Sequence, residues 1–124
     1  MEAAVRHAIA HAKDHTAFGQ DLLQFQNTRF VLAECKTEAL AARTFLDYCI
    51  GVHLEGKLDA PTASMAKRWT TQEQGEIVDK CLQISGGYGY MLEYPIARIY
   101  AAARVQKIYG GANEIMKELI ARSL

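Results

Sequence analysis

The sequence predicts an all-α chain, an up-and-down four-helix bundle folded as a single domain over residues 1–124. Three observations carry that expectation. No stretch alternates polar and apolar residues with period two for long enough to make a strand. Apolar residues instead recur at steps of three and four through long segments. The helix breakers cluster: Gly86, Gly87 and Gly89, then Gly110 and Gly111, interrupt a sequence otherwise written for helix.

The first helix is expected near residues 2–15, built on Ala3, Ala4, Val5, Ala8, Ile9 and Ala12, with no capping signal at its start. His7, His11 and His15 recur every four residues and share one face. Such spacing can bind a metal, but no acidic or cysteine ligand completes a site. The stripe reads as a solvated face or a subunit contact, with no metal expected. Phe18-Gly19 ends the helix and opens a connection. The longest helix follows over 23–55, broken only by the tolerable Gly51. Arg29, Lys36, Arg43 and Asp47 line one stripe of it, while Phe30, Leu32, Ala33, Ala39, Leu40, Phe45, Leu46, Cys49 and Ile50 cover more than one face. A helix so apolar is expected to be sandwiched, centrally in a bundle or against a neighbouring subunit. Glu34 and Glu38 read as a second solvent-facing strip.

Gly56–Asp59 is a turn, and Asp59 with Pro61 marks the next helix start. That helix, expected over 61–85, keeps a seam of Ala63, Ala66, Thr70, Ile77, Cys81 and Ile84, with Trp69 read as core. Tyr94-Pro95 opens a short helix over 95–106, since proline sets the helical φ and holds the preceding residue extended. The last helix is expected over 113–123, with Glu114 at its positive end and Arg122 at its negative end.

Lysine plus arginine and aspartate plus glutamate number 14 each, so the chain as a whole offers nucleic acid no electrostatic handle. Cys35, Cys49 and Cys81 are odd in number, widely spaced and embedded in apolar helical runs, which suits buried reduced thiols and a reducing, cytoplasmic compartment. No segment approaches the roughly 20 apolar residues of a membrane span. The glycine clusters admit two readings. They are ordinary helix ends, or they let backbone approach a ligand beside the free N–H groups of a helix start near Asn113.

Taken in order, Thr16-Ala-Phe18-Gly19, Gln26, Gln83-Ile-Ser-Gly-Gly87, Tyr94-Pro95 and Ile108-Tyr-Gly-Gly-Ala-Asn-Glu-Ile115 resemble the C-terminal domain of the acyl-CoA dehydrogenases, most closely the long-chain branch. The resemblance covers essentially the whole chain and implies a four-helix bundle that completes an FAD site with other domains and a neighbouring subunit. It implies that Phe18, Gln26, Gln83, Ile84, Ser85, Gly86 and Gly87 meet the adenosine and diphosphate of FAD. Ala112, Asn113 and Glu114 would meet the flavin, and Gly110 and Gly111 the thioester end of acyl-CoA. Electron-transfer flavoprotein and a homo-oligomer, dimer or tetramer, are the implied partners. The family reaction removes an α-proton with a glutamate while flavin takes the β-hydrogen as hydride.

Several positions depart from the pattern. His15 stands where arginine is usual, Ala112 where threonine is usual, and Ala101-Ala102 where many members have Arg-Asp. Gly110 occupies the position at which many members carry the catalytic glutamate. The alternative placement, on an earlier helix, would fall before Met1, and Glu2 is too near Phe18 to be that residue. No catalytic residue is therefore assigned, the N-terminal domains of the family are expected to be absent from these residues, and the isolated chain is expected to be inactive. The alternative expectation is a non-catalytic helical oligomerisation or binding module descended from the family.

Overall fold

A computed structural model describes all 124 residues. Five α-helices follow one another: α1 (Glu2–Asp14), α2 (Gln26–Leu54), α3 (Ala60–Ile84), α4 (Pro95–Val105) and α5 (Asn113–Ala121). Their bounds lie within a few residues of those expected. Between α1 and α2 the chain makes something the sequence reading passed over, a minimal hairpin of β1 (Thr16–Ala17) and β2 (Gln20–Asp21). Two-residue strands are too short to show an alternation. The turn that joins them has positive φ at both central residues, 52° at Phe18 and 80° at Gly19, as a type I′ hairpin turn requires. A short 3-10 turn, Leu22–Gln24, then delays the start of α2 to Gln26 rather than residue 23.

α3 is the hub, packed against each of the other four helices. The pairs Cys35 with Cys81, Glu38 with Lys80 and Phe45 with Trp69 show that α2 and α3 run antiparallel. Asp59 caps α3 by accepting the Thr62 backbone N–H at 2.7 Å, and this hydrogen bond holds its carboxyl below the ordinary carboxylate value. Ala4, Ala8 and Ala12 of α1 are completely buried. Such small side chains at four-residue spacing let helix axes approach closely, so α1 seats on Leu32, Cys35, Ile77, Val78 and Cys81. The hydrogen bond to Cys35 and burial push the Cys81 thiol far up, so it stays protonated, and all three cysteines are free thiols.

Two sequence expectations need correction. Glu34 and Glu38 are not merely a solvated strip, because Lys80 of α3 reaches both carboxylates, at 3.7 and 3.5 Å. Partial burial opposes the charge on Lys80, but Glu38, Cys35 and Glu34 together outweigh it and hold the ammonium above its ordinary value. The partner lies 42 residues away from Glu38, which is why inspection of neighbouring sequence missed it. Trp69 is half-buried rather than core, meeting Phe45 edge-to-face at 5.8 Å while its other side lines a cleft. The breadth of apolar surface on α2 is real: Phe30, Leu40, Tyr48, Ile50 and Leu54 are all exposed. No helix is long and apolar enough to cross a membrane.

Glycines separate by what stands opposite them. A methyl group at Gly89 would lie 2.6 Å from the backbone oxygen of Leu82, whereas at Gly75 it would meet only Lys107 Cε and Nζ at 2.8 Å. Gly89→Ala is therefore expected to destabilise by about 1–3 kcal/mol. Gly75→Ala displaces the flexible end of a lysine and should gain about 1 kcal/mol of helix propensity. Urea unfolding midpoints of the two variants should move in opposite directions.

Candidate functional site

Thermodynamically, α3 ends where it must. Ser85 closes the helix with its backbone N–H on Cys81 O, and its Oγ also donates to Cys81 O at 3.1 Å. Gly86 then takes φ 56°, a left-handed value that favours glycine, and opens the 3-10 turn Gly86–Tyr90. The N–H groups of Gly86 and Gly87 have no acceptor within that turn, and nothing lies within 4 Å of where a Cβ would stand on either residue. Here the structure forms a cleft of about 410 Å³. His11 and His15 form one wall, Ile84 to Tyr88 another, and Leu22 and Met91 supply apolar edges.

The two histidines stack with ring centroids 5.1 Å apart and planes 14° from parallel, and Tyr88 meets each of them edge-on at 5.8 Å. The sequence stripe thus divides: His7 stays exposed, while His11 and His15 join the site. Burial, then the neighbouring His15, holds the His11 imidazole below its ordinary value of 6.5, against a smaller opposing influence of Asp14. Phe18 and Gln26 sit on the segment that follows His15, outside the cleft lining. Phe18 is 98% exposed at the hairpin tip, edge-to-face with Phe25 at 6.4 Å. Gln26 and Gln83 are exposed at the start of α2 and the end of α3.

A second cleft, of about 640 Å³, lies where α3, the end of α4 and the start of α5 converge. The loop into α5 is shaped by Gly110 and Gly111, at φ 65° and 98°, and a Cβ on Gly111 would stand 2.6 Å from Met116 Cε. Asn113 anchors this loop. Its backbone N–H donates to Lys107 O at 3.1 Å. Its Oδ1 accepts from Lys67 Nζ at 2.8 Å, and its Nδ2 donates to Thr71 Oγ1 at 3.1 Å and Arg68 O at 3.3 Å. Asn113 is buried and fully engaged, so it positions α5 rather than offering its amide to a ligand. Ser85 is likewise spent internally.

Beside Asn113, Ala112 and the exposed Glu114 line the cleft with Arg68, Trp69, Arg104 and Lys107. Glu73 lines it too, and burial followed by repulsion from Glu76 raises its carboxyl above the ordinary value. The N–H groups at the start of α5, on Glu114 and Ile115, have no acceptor within the helix. The predicted residues thus fall into two groups, Gln83 to Gly87 at the C-terminal end of α3 and Gly110 to Glu114 beside its middle. From Thr71, which holds Asn113, to Ile84 is about 20 Å of α3. Sequence reasoning missed the Lys67–Thr71–Asn113 network and the place of Tyr88 against the edges of both histidines. The four-residue step from Lys67 to Thr71 was a usable signal for a shared helix face, but nothing local pointed to a partner in α5.

Comparison with known proteins agrees with this architecture. The family model for "Acyl-CoA dehydrogenase, C-terminal domain" matches residues 1–124. The mitochondrial long-chain specific acyl-CoA dehydrogenase of Mus musculus is 48% identical over 114 residues, which are 92% of this chain and 26% of that protein. The acyl-CoA dehydrogenase from Geobacillus kaustophilus superposes with a TM-score of 0.95 at 43% identity, over 98% of this chain and 32% of that one. A chain in a structure of the electron transferring flavoprotein of Acidaminococcus fermentans gives a TM-score of 0.94 at 32% identity, over 98% of this chain and 32% of its own length. The 124 residues therefore span about a quarter to a third of the relatives they match.

Proposed function

The chain belongs to the acyl-CoA dehydrogenase family as its C-terminal helical domain, and from that premise we propose that it completes the FAD site of an enzyme that dehydrogenates fatty acyl-CoA thioesters between the α and β carbons. The observation that carries this reading is the pair of clefts, each with a glycine-shaped backbone and unpaired N–H groups, one beside the middle of α3 and the other at its C-terminal end. The cradle at Gly86 and Gly87 fits a diphosphate, which needs close backbone approach and N–H donors. Ile84 and Ser85 hold the turn, and Phe18, Gln26 and Gln83 offer exposed side chains for the adenosine end.

At the other end, Ala112, Asn113 and Glu114 form the flavin side, with Gly110 and Gly111 toward the thioester. Bound flavin supplies the acceptor for the β-hydrogen. The chain's own part is to present the N–H groups of Glu114 and Ile115, to hold the loop in place through Asn113, and to keep the backbone at Gly110 open to substrate. Proton abstraction belongs to a carboxylate elsewhere in the assembled enzyme, because position 110 carries none. The clefts serve two different FAD molecules, each shared with a second copy of the chain. A dimer or tetramer would also cover the exposed apolar face of α2. Electron-transfer flavoprotein is the partner that removes the electrons.

The test is a chimera in which this chain replaces the matching 32% of the Geobacillus kaustophilus enzyme. It should assemble, retain FAD through gel filtration and bleach on adding acyl-CoA. An assembled chimera without FAD would contradict the reading and favour a non-catalytic oligomerisation module, as the substitutions at His15, Gly110 and Ala112 would then suggest.

A further inference from the structure

The cleft at the end of α3 has no lysine or arginine in its lining; its only cationic candidates are His11 and His15. Neutral imidazoles and backbone N–H groups can orient a diphosphate, but they bring no charge to match it. The stacked pair supplies that charge conditionally. We propose that His11 and His15, braced by Tyr88 beside Gly86 and Gly87, form a proton-coupled diphosphate site, taking up a proton as the diphosphate of a dinucleotide or of a coenzyme A derivative enters. This rests on the reading of the cleft as the diphosphate end of the site.

The groups facing the pair are few. Asp14 on α1 and the phenols of Tyr88 and Tyr94 line the adjoining cleft of about 360 Å³, and His7 lies one turn back along α1. Without ligand, burial and then the neighbouring His15 hold the His11 imidazole below its ordinary 6.5. A diphosphate diester carries a fixed negative charge in the neutral range, so its arrival must favour the protonated pair. The sign follows from linkage: affinity rises as pH falls between the bound and free titration midpoints, by up to about tenfold per pH unit for each coupled proton. The same depression of His11 makes the unliganded fold lose stability as pH falls below the ordinary 6.5, because the unfolded chain protonates first. Ligand should therefore protect the fold more at acid pH.

The experiment is calorimetric titration of the 124-residue chain with FAD, dephospho-coenzyme A and adenosine at pH 5.5 and 7.5. Imidazole NMR titrations with and without FAD accompany it. At least tenfold tighter binding of FAD or dephospho-coenzyme A at pH 5.5 is expected, with adenosine unaffected and the His11 and His15 midpoints raised by ligand. Tightening with only one of the two identifies which diphosphate the site serves. His15→Arg should bind more tightly at pH 7.5 and lose most of the pH dependence; His11→Gln/His15→Gln, checked for helical content, should lose it altogether. The NMR titration needs no variant. Binding of both diphosphates at affinities that do not change between the two pH values, pH dependence that survives the double substitution, unmoved histidine midpoints, or no binding of either diphosphate at pH 5.5 would each overturn the proposal. A chimera that retains FAD and turns over while the affinities of both diphosphates stay flat with pH would remove this inference alone and leave the proposed function standing.

Discussion

Supplied with FAD and a panel of acyl-CoA substrates, the 124-residue chain alone should produce no substrate-dependent bleaching of oxidised flavin. Abstraction of the α-proton needs a carboxylate within hydrogen-bonding reach, a contribution of about 10²–10⁴ in rate. Position 110 is glycine, and nothing occupies the space beside it. Glu114 and the partly desolvated Glu73 line the neighbouring cleft, yet both clefts are open, and about 20 Å of α3 separates the proposed diphosphate cradle from the proposed flavin side. Gly110→Glu would restore a carboxylate but not the surroundings of the ring, so it should not rescue turnover by itself. Bleaching by the unmodified chain would require a base among Glu114, Glu73 and the two stacked histidines, and single substitutions would identify it.

Asn113→Ala should lower stability by about 2–3 kcal/mol, roughly 10 °C in Tm for a domain of this size. The substitution takes a hydrogen bond from each of Lys67 Nζ, Thr71 Oγ1 and Arg68 O, three partners that now converge on one buried amide, and leaves Lys67 Nζ without its partner. Because those groups fix the start of α5, the N–H groups of Glu114 and Ile115 should lose their aim as well, weakening FAD retention in the chimera. Glu114→Gln is the contrast: its carboxylate is exposed, so stability should stay within about 0.5 kcal/mol. Thermal unfolding of the two variants separates a positioning residue from a ligand-facing one. Equal stability of Asn113→Ala and the parent would show that the network is not holding the loop.

The legible parts of the fold were those set by local rules. The Asp59 cap, the Pro95 start and the glycine-ended helices depend on residues within a few positions of one another, and the structure has them where the sequence placed them. Contacts between distant segments were not legible. Lys80 reaching Glu34 and Glu38, Asn113 bridging to Thr71 and Tyr88 closing on two histidines each require the packing of helices far apart in sequence. The hairpin was hidden for another reason: two residues per strand leave no period to detect, and only Phe18-Gly19 hinted at a turn. Motif order grouped the candidate residues by resemblance, but it could not show that they occupy separate clefts. Nor could it show that the side chains of Ser85 and Asn113 are already committed to the protein itself.

Whether the two clefts serve different FAD molecules can be measured by complementation in the chimera. One population carries Gly86→Asp and Gly87→Asp, placing carboxylates in the diphosphate cradle; the other carries Ala112→Trp, filling the flavin side. Each alone should assemble without flavin. Denatured together and refolded in equal amounts as symmetric dimers, half of the assemblies should be mixed, and each mixed dimer should hold one intact site, so about a quarter of all sites should bind FAD. Flavin absorbance per chain reads this directly. Recovery near that fraction is the expected result; no recovery, with mixed dimers demonstrated by mass, would mean that both clefts act on one FAD within a single chain and would contradict the shared site.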